Sequence, residues 1–336
     1  MKDDYIFILT DDTGMLQHSK CGIPDPTYGY TTDDNARALI MAVMLYERFK
    51  EKKYLDLIYR YSSFILNAQT NSGKFRNFMS YSRKWLEEEG SEDCFGRCLW
   101  ALGFSYSNKS TPKGIKLSLS YILKKAFPNV TSLCYSRGKA YSILGLSYIN
   151  SQEAKNIIFK LATDICNQYD KYKDNKWKWF ENDITYSNSV LPWALFVAYR
   201  ILEENRFLHV AEESLKFLET IIFRYGFFKP IGCKGWLKKG GEPAEFDEQP
   251  VEACEMTLTY LEAYSITGNK RYKDMAQKCY DWYEGMNSKG IRLVDSFTGG
   301  CFDGLTEEGV NLNIGAESVI SYYISYLSML KINSLI

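Results

Sequence analysis

Carboxylate, amide and aromatic side chains recur together at intervals along this 336-residue chain. Each group precedes a strongly apolar stretch, and the six groups occupy residues 29–37, 90–97, 132–138, 179–188, 245–252 and 303–317. Paired carboxylates can act as a general acid and a general base, while amides and aromatic rings bind polar ligands. The six groups therefore predict a ligand site with the means for acid–base chemistry, provided that the fold brings them together.

The apolar stretches that follow these groups predict an inner ring of helices packed on both sides. They cover residues 35–49, 95–107, 138–148, 189–203, 251–266 and 315–331. Five amphipathic stretches alternate with them and predict outer helices with one face exposed to solvent. These stretches are 53–69, 113–126, 152–170, 206–225 and 270–286. Six helical hairpins that close into a ring would place all six polar helix starts at one end of the ring axis.

The predicted organisation is one all-α domain, an (α/α)6 toroid over residues 31–336. A sixth outer helix is missing from the pattern because the chain reaches Ile336 soon after the last inner helix, which leaves eleven helices. Residues 1–30 are expected to form an extended N-terminal segment that packs on the toroid and covers the gap. The connections at 71–92, 226–250 and 286–313 are long, as functional loops often are.

Composition excludes several classes of function. Lys plus Arg and Asp plus Glu both number 41, so no excess of basic charge favours nucleic acid as a partner. Nine cysteines without a Cys-x-x-Cys pair indicate reduced thiols, and the N-terminus resembles neither a signal peptide nor a membrane span, so we expect a cytoplasmic protein that does not contact membranes. The sequence shows no phosphate-binding glycine loop and no Cys/His metal pattern, so neither a cofactor nor a metal is expected.

Several motifs together resemble a bacterial and archaeal family of six-hairpin glycosidase-like domains. The resemblance spans nearly the whole chain and is carried by Asp11-Asp12-Thr13-Gly14, Gln17-His18, Gly29-Tyr30, Asp33-Asp34-Asn35-Ala36-Arg37, Trp179-Phe180-Glu181, Thr185-Tyr186, Leu191-Pro192, Gln249-Pro250-Val251-Glu252, Asp303-Gly304, Asn311-Leu312-Asn313 and Gly315-Ala316-Glu317-Ser318. It implies an (α/α)6 toroid and a carbohydrate ligand. Domains of that family are often fused to a glycosyltransferase, which makes a glycosyltransferase a candidate partner for this chain.

Six carboxylates are candidates for catalysis. Glu181 follows Trp177, Trp179 and Phe180, and aromatic surroundings can raise the pKa of a carboxyl group towards the range of a general acid. Asp34 and Glu317 are the candidates for the base, and Asp93, Asp247 and Asp303 are further candidates. The alternative for each is a structural role, because acids at helix starts cap free amides and form ion pairs.

Side chains near these carboxylates are candidates for substrate binding, through ring stacking, hydrogen bonding or orientation of an acid. These candidates are His18, Tyr30, Asp33, Arg37, Trp179, Tyr186, Asn188, Gln249, Glu252, Asn311 and Asn313.

The combined prediction is a glycoside hydrolase that uses two carboxylates and inverts the anomeric configuration. The alternative is a non-catalytic carbohydrate-binding toroid that assists a partner glycosyltransferase. A sugar 2-epimerase of the same architecture is less favoured, because such enzymes generally use two histidines and the chain has two in all, with His209 on a predicted outer helix.

Overall fold

A computed structural model describes residues 2–334, whose regular secondary structure is almost entirely helical. Within them the helices are α1 (Asp4–Ile8), α2 (Thr32–Phe49), α3 (Lys52–Ala68), α4 (Glu92–Ser107), α5 (Lys113–Ala126), α6 (Ser136–Leu146), α7 (Gln152–Tyr172), α8 (Val190–Leu202), α9 (Asn205–Ile222), α10 (Pro250–Thr267), α11 (Lys270–Asp281) and α12 (Ala316–Asn333). Two short 3-10 helices, Pro26–Tyr28 and Phe127–Ser132, lie in the connections.

The even-numbered helices form a closed inner ring. Each packs on the next in the order α2, α4, α6, α8, α10 and α12, and α12 packs back on α2. Helices α3, α5, α7, α9 and α11 each pack outside the inner helix that precedes them in the chain. The predicted (α/α)6 toroid is therefore confirmed.

The two rings differ in sequence because they differ in burial. In α8, every residue from Val190 to Ala198 is buried, whereas α9 alternates buried apolar positions such as Phe207 and Leu215 with exposed polar ones. The α4 and α6 helices approach each other closely at glycines. A Cβ atom added to Gly103 would lie 2.1 Å from the carbonyl oxygen of Gly145, so a larger residue would force the two helices apart.

The short helix α1 lies between α3 and α12. The hydroxyl of Tyr323, on α12, donates a hydrogen bond to the carbonyl of Lys2 at 2.6 Å, and the hydroxyl of Tyr54, on α3, donates to Asp3 at 2.6 Å. The N-terminal segment thus contacts both α3 and α12. It adds one short helix to the eleven that were predicted.

Three antiparallel pairs of two-residue strands lie outside the helices, and the second and third of them join separate connections. They are β1 (Ser19–Lys20) with β2 (Ile23–Pro24), β3 (Tyr30–Thr31) with β4 (Phe78–Met79), and β5 (Asp183–Ile184) with β6 (Leu237–Lys238). The β3–β4 pair holds the 69–91 connection against the start of α2. In residues 2–334, no helix is both long enough and apolar enough to cross a lipid bilayer.

Candidate functional site

A cavity of about 340 Å³ lies where α2, α10 and α12 begin. We call it the first cavity. Its walls come from those helix starts and from the connections that precede them, and its lining is strongly polar. The lining residues are Gln17, His18, Thr31, Asp33, Asp34, Arg37, Asn77, Phe78, Gln249, Pro250, Asp303, Asn311, Gly315, Glu317 and Ser318.

One arginine joins two carboxylates in the first cavity. Nη2 of Arg37 lies 2.7 Å from Oδ1 of Asp34 and 3.0 Å from Oε2 of Glu317. Arg37 and Asp34 are buried, whereas the side chain of Glu317 is 36% exposed. Since both oxygens contact the same nitrogen, they cannot be further apart than the sum of these two distances.

Burial gives Asp34 an unusual protonation behaviour. It raises the pKa of Asp34 to about 7, together with the negative charges of Asp33 and Glu317 and against the opposing effect of Arg37. The hydroxyl of Thr31 donates a hydrogen bond to Oδ2 of Asp34 at 2.6 Å. Asp34 can therefore hold or release a proton close to neutral pH.

The neighbouring Asp33 behaves in the opposite way. Its Oδ2 lies 2.7 Å from Nη1 of Arg97, which comes from α4. Burial alone would raise the pKa of Asp33, but the guanidinium groups of Arg97 and Arg37 outweigh it and hold the pKa below its ordinary value. The pKa values of these two adjacent acids are thus shifted in opposite directions: two guanidinium groups lower that of Asp33, and burial with neighbouring negative charges raises that of Asp34.

Asp303 lines the first cavity and also stabilises the start of α12. Its Oδ1 accepts hydrogen bonds from the backbone amide of Gly315 at 2.6 Å and from the hydroxyl of Ser318 at 2.7 Å, so it caps the start of α12. Burial raises its pKa.

A second cavity, of about 400 Å³, lies where α4 and α6 begin. We call it the second cavity. Two of its lining tyrosines are exposed, Tyr135 by 72% and Tyr186 by 39%. The lining residues are Ser91, Glu92, Asp93, Cys134, Tyr135, Ser136, Arg137, Gln168, Glu181 and Tyr186.

An arginine also lines the second cavity, and each of its three nitrogens donates a hydrogen bond. Nη1 of Arg137 donates to both oxygens of Glu181 at 3.2 and 3.0 Å, and Nε donates to the carbonyl of Tyr186 at 2.7 Å. Nη2 donates to Thr185 at 3.0 Å, and the guanidinium lies 4.6 Å from the centre of the Tyr186 ring. The hydroxyl of Tyr186 in turn donates to Asp93 at 2.6 Å.

Beneath the cavities, a buried network links three inner helices. The hydroxyl of Tyr141 donates to Oε1 of Glu255, and Nη2 of Arg97 donates to Ser187 at 3.3 Å. Glu252 accepts hydrogen bonds from the backbone amides of Ser187 and Asn188, just before α8. Burial and the negative charge of Glu255 raise the pKa of Glu252 to about 7.

The predicted site residues are divided among the first cavity, the second cavity and positions outside both. Six helix-start residues were expected to surround one cavity, but they surround two neighbouring ones. The first cavity contains His18, Asp33, Asp34, Arg37, Gln249, Asp303, Asn311 and Glu317, and the second contains Asp93, Glu181 and Tyr186. The predicted acid Glu181 and its predicted partners Asp34 and Glu317 thus lie in different cavities.

Six other predicted residues lie outside both linings. Trp179 and Tyr30 are 0% and 1% exposed, so neither ring offers a face for stacking; Trp179 packs against Phe180, and the hydroxyl of Tyr30 donates to Asp11 at 2.5 Å. Asn313 accepts from the amide of Cys21 at 3.0 Å. The other three are Asn188 and Glu252, which belong to the buried network, and Asp247, which is partly buried in the connection before α10.

Sequence reasoning missed Arg97, Arg137 and Tyr141 as parts of the site. A signal existed, because arginine occurs near the start of α2, α4 and α6 alike. No metal-binding arrangement of three or more His, Cys, Asp or Glu side chains occurs in residues 2–334. A roomier cavity of about 550 Å³, bordered by Trp177, Phe217 and Pro243, contains none of the predicted site residues.

Solved structures of carbohydrate-active proteins have the same fold. A sugar epimerase from a ruminal bacterium is 14% identical, with a TM-score of 0.75 over 99% of this chain and 97% of that one. Cellobiose 2-epimerase from Bacillus thermoamylovorans is 11% identical, with a TM-score of 0.76 over 98% and 95%. The cellulase Cel9M of C. cellulolyticum, in complex with cellobiose, is 11% identical, with a TM-score of 0.67 over 96% and 88%.

These matches extend over nearly the full length of each chain and establish the six-hairpin toroid fold. At such low identity they establish no more than the fold. No protein-family model and no curated protein sequence matches this chain.

Proposed function

We propose that this protein binds a carbohydrate in the first cavity and hydrolyses a glycosidic bond there, with Asp34 as the general acid and Glu317 as its partner. One observation supports this pair above all: both carboxylates contact Nη2 of Arg37 within one cavity. Asp34 can donate a proton near neutral pH because its pKa is about 7. Glu181, the acid predicted from sequence, lies in the other cavity.

The spacing of the pair favours retention of configuration rather than the predicted inversion. Inverting pairs are roughly 6.5 to 9.5 Å apart, and retaining pairs about 5 to 5.5 Å. The oxygens of Asp34 and Glu317 that share Arg37 lie 2.7 and 3.0 Å from it and so fall short of the inverting range.

In the proposed reaction, a carboxylate oxygen of Glu317 attacks the anomeric carbon while the glycosidic C–O bond breaks. Asp34 gives its proton to the departing oxygen. The covalent glycosyl ester on Glu317 is then hydrolysed by water, whose proton returns to Asp34. The partly exposed Glu317 suits a nucleophile that must reach substrate, and the buried Asp34 suits a group that must hold a proton.

A screen against a broad panel of glycosides, with product analysis by NMR, tests this proposal. We expect a hydrolysed product whose anomer, observed early, matches the substrate, and we expect both Asp34→Asn and Glu317→Gln to abolish the reaction. Glu212→Gln, on the exposed face of α9, is a matched control that should keep full activity. An inverted first product, or full activity in Glu317→Gln, would show that the roles are assigned wrongly.

A second candidate is epimerisation of a sugar next to its carbonyl group. It is favoured by His18, which lies in the first cavity near Asp303, and by the fold shared with the two epimerases. His18 would take the proton from the carbon next to the carbonyl, and a carboxyl group would return one to the other face. Hydrogen–deuterium exchange at that carbon in D₂O, lost in His18→Asn, identifies this reaction; exchange-free hydrolysis excludes it.

Saccharide binding without any turnover would favour the third possibility, a carbohydrate-binding toroid that assists a glycosyltransferase. In that case the affinity for saccharide would depend on the cavity residues. The wild type would show no turnover, so Asp34→Asn could change only binding.

A further inference from the structure

We infer that the ligand is an uncharged oligosaccharide that spans both cavities, with the second cavity binding the sugar units beyond the one held at Asp34 and Glu317. This inference rests on the proposed carbohydrate site and adds the length and charge of the ligand. It depends on three observations: the two cavities are neighbours, the second has exposed aromatic rings, and both linings are rich in acids.

The two cavities adjoin across the contact between α2 and α4. Asp33 lines the first cavity and pairs with Arg97 at 2.7 Å. Arg97 lies one helical turn after Asp93, which lines the second cavity. The Asp33–Arg97 ion pair therefore joins the wall of the first cavity to the helix whose start borders the second, at the same end of the toroid. A glycosidase must hold sugars on both sides of the bond that it cleaves, and the second cavity is the adjoining space of matching size, about 400 Å³ against 340 Å³.

The second cavity has the side chains that bind sugar rings. Tyr135 is 72% exposed and Tyr186 is 39% exposed, so both rings have surface that a ligand can contact. The Tyr186 ring is held in place, because its hydroxyl bonds to Asp93 and one face lies over Arg137. A fixed ring stacks on a sugar at a low entropic cost.

The charges of both cavities disfavour anionic sugars. In the described lining of the first cavity, four carboxylate side chains accompany one arginine, and in that of the second, Glu92, Asp93 and Glu181 accompany Arg137. Even with Asp34 protonated, neither lining has surplus positive charge to bind a uronate or a sugar phosphate. An uncharged chain binds through its hydroxyl groups. These groups can donate hydrogen bonds to the carboxylates without electrostatic repulsion.

Calorimetry on the Asp34→Asn protein tests the inference without turnover. The probes are ladders of one to four units of β-1,4-linked glucose and α-1,6-linked mannose, together with galacturonic acid oligomers. We expect affinity for at least one neutral ladder to rise about tenfold between one unit and three, and the uronates not to bind. In this background, Tyr135→Ala and Tyr186→Ala should each remove much of that gain, about three- to tenfold, and leave monosaccharide affinity unchanged.

Tyr59→Ala, which removes an equally exposed tyrosine from outer helix α3, is the matched control and should bind every ladder as the parent does. Equal affinity for one unit and three, or a length dependence untouched by the Tyr135 and Tyr186 variants, overturns the inference while the carbohydrate site remains. Preferred binding of uronates overturns the charge argument. Failure of every saccharide to bind overturns the proposed function and this inference together.

Discussion

Both cavities are organised around an arginine, but the two arginines are used differently. Arg37 in the first cavity is shared by Asp34 and Glu317, whereas Arg137 in the second is paired with Glu181 and hydrogen-bonded at each of its nitrogens. In the first, two acids compete for one cation beside a third acid, and the pKa of Asp34 is raised to about 7. In the second, Arg137 pairs with one carboxylate only, and Glu92 and Asp93 accept hydrogen bonds from other groups.

The difference indicates separate tasks within one site. A carboxyl group that changes charge near neutral pH is suited to proton transfer, and crowding of like charges in a buried place produces it. Arg137, which is hydrogen-bonded at each of its nitrogens and lies against a fixed tyrosine ring, provides a rigid surface. Chemistry is therefore expected in the first cavity and recognition in the second.

The largest expected difference is between variants in which the acid of one cavity or of the other is replaced by its amide. Asp34→Asn should lower kcat by about 10²- to 10⁴-fold, because the proton donor is lost. Glu181→Gln should leave kcat within about threefold and raise KM for longer substrates, because it loosens the support of Tyr186. Steady-state kinetics on the best substrate of the panel measures both.

The dependence of turnover on pH tests independently whether Asp34 or Glu181 is the acid. If Asp34 is the acid, turnover should fall as pH rises past about 7, because the side chain loses the proton that it must donate. Abolished turnover in Glu181→Gln, with activity kept in Asp34→Asn, would place the chemistry in the second cavity and restore the prediction made from sequence.

Helix positions were predictable because burial dictates periodicity. The α8 segment is apolar from Val190 to Ala198 and α9 is amphipathic, so the order of inner and outer helices followed from the sequence alone. The short α1 was not predicted as a helix, because five residues carry too little periodic signal. The division of the six helix starts between two cavities depends on packing between hairpins and has no counterpart in local sequence.

The roles of individual acids were harder to predict for a specific reason. Inner helices are capped by side chains from neighbouring hairpins: Glu92 accepts from the amides of Cys134 and Tyr135 before α6, and Glu252 accepts from those before α8. An acid at the start of one helix therefore accepts hydrogen bonds from backbone amides at the start of another. Likewise, aromatic composition does not distinguish a cleft residue from a core residue, which is why Trp179 was misplaced.

A smaller effect is expected on stability from removing the shared cation. Arg37→Gln leaves Asp34 and Glu317 without their common partner, and loss of one member of a buried ion pair typically costs about 3 kcal/mol. The loss should be greater at pH 8 than at pH 5, since Asp34 can take up a proton at the lower pH. Urea denaturation at both pH values measures it.

Arg83→Gln is the matched control, because Arg83 pairs with Asp12 at 2.8 Å on the exposed surface and should change stability little. A loss in Arg37→Gln that is the same at both pH values would contradict the view that Asp34 titrates near neutrality in the first cavity.

The smallest expected effect concerns Glu252, which joins the two halves of the site. It lies on α10, whose start borders the first cavity, and it holds the amides of Ser187 and Asn188, next to Tyr186 of the second. Its pKa is about 7 in the folded protein, above the value of about 4.3 expected in the unfolded chain. The folded state thus binds the proton more tightly, and this stabilisation is present below pH 4 and is lost as pH rises to about 7.

Replacing Glu252 by Gln should flatten that dependence. Between pH 5 and pH 8, the unfolding free energy of the wild type should fall by on the order of 2 kcal/mol more than that of Glu252→Gln, because glutamine does not titrate. Glu212→Gln, on an exposed outer face, controls for the loss of a carboxylate. Parallel curves for wild type and Glu252→Gln would mean that Glu252 keeps one charge state across this range. The two cavities would then be joined by a permanent ion rather than by a group that titrates alongside Asp34.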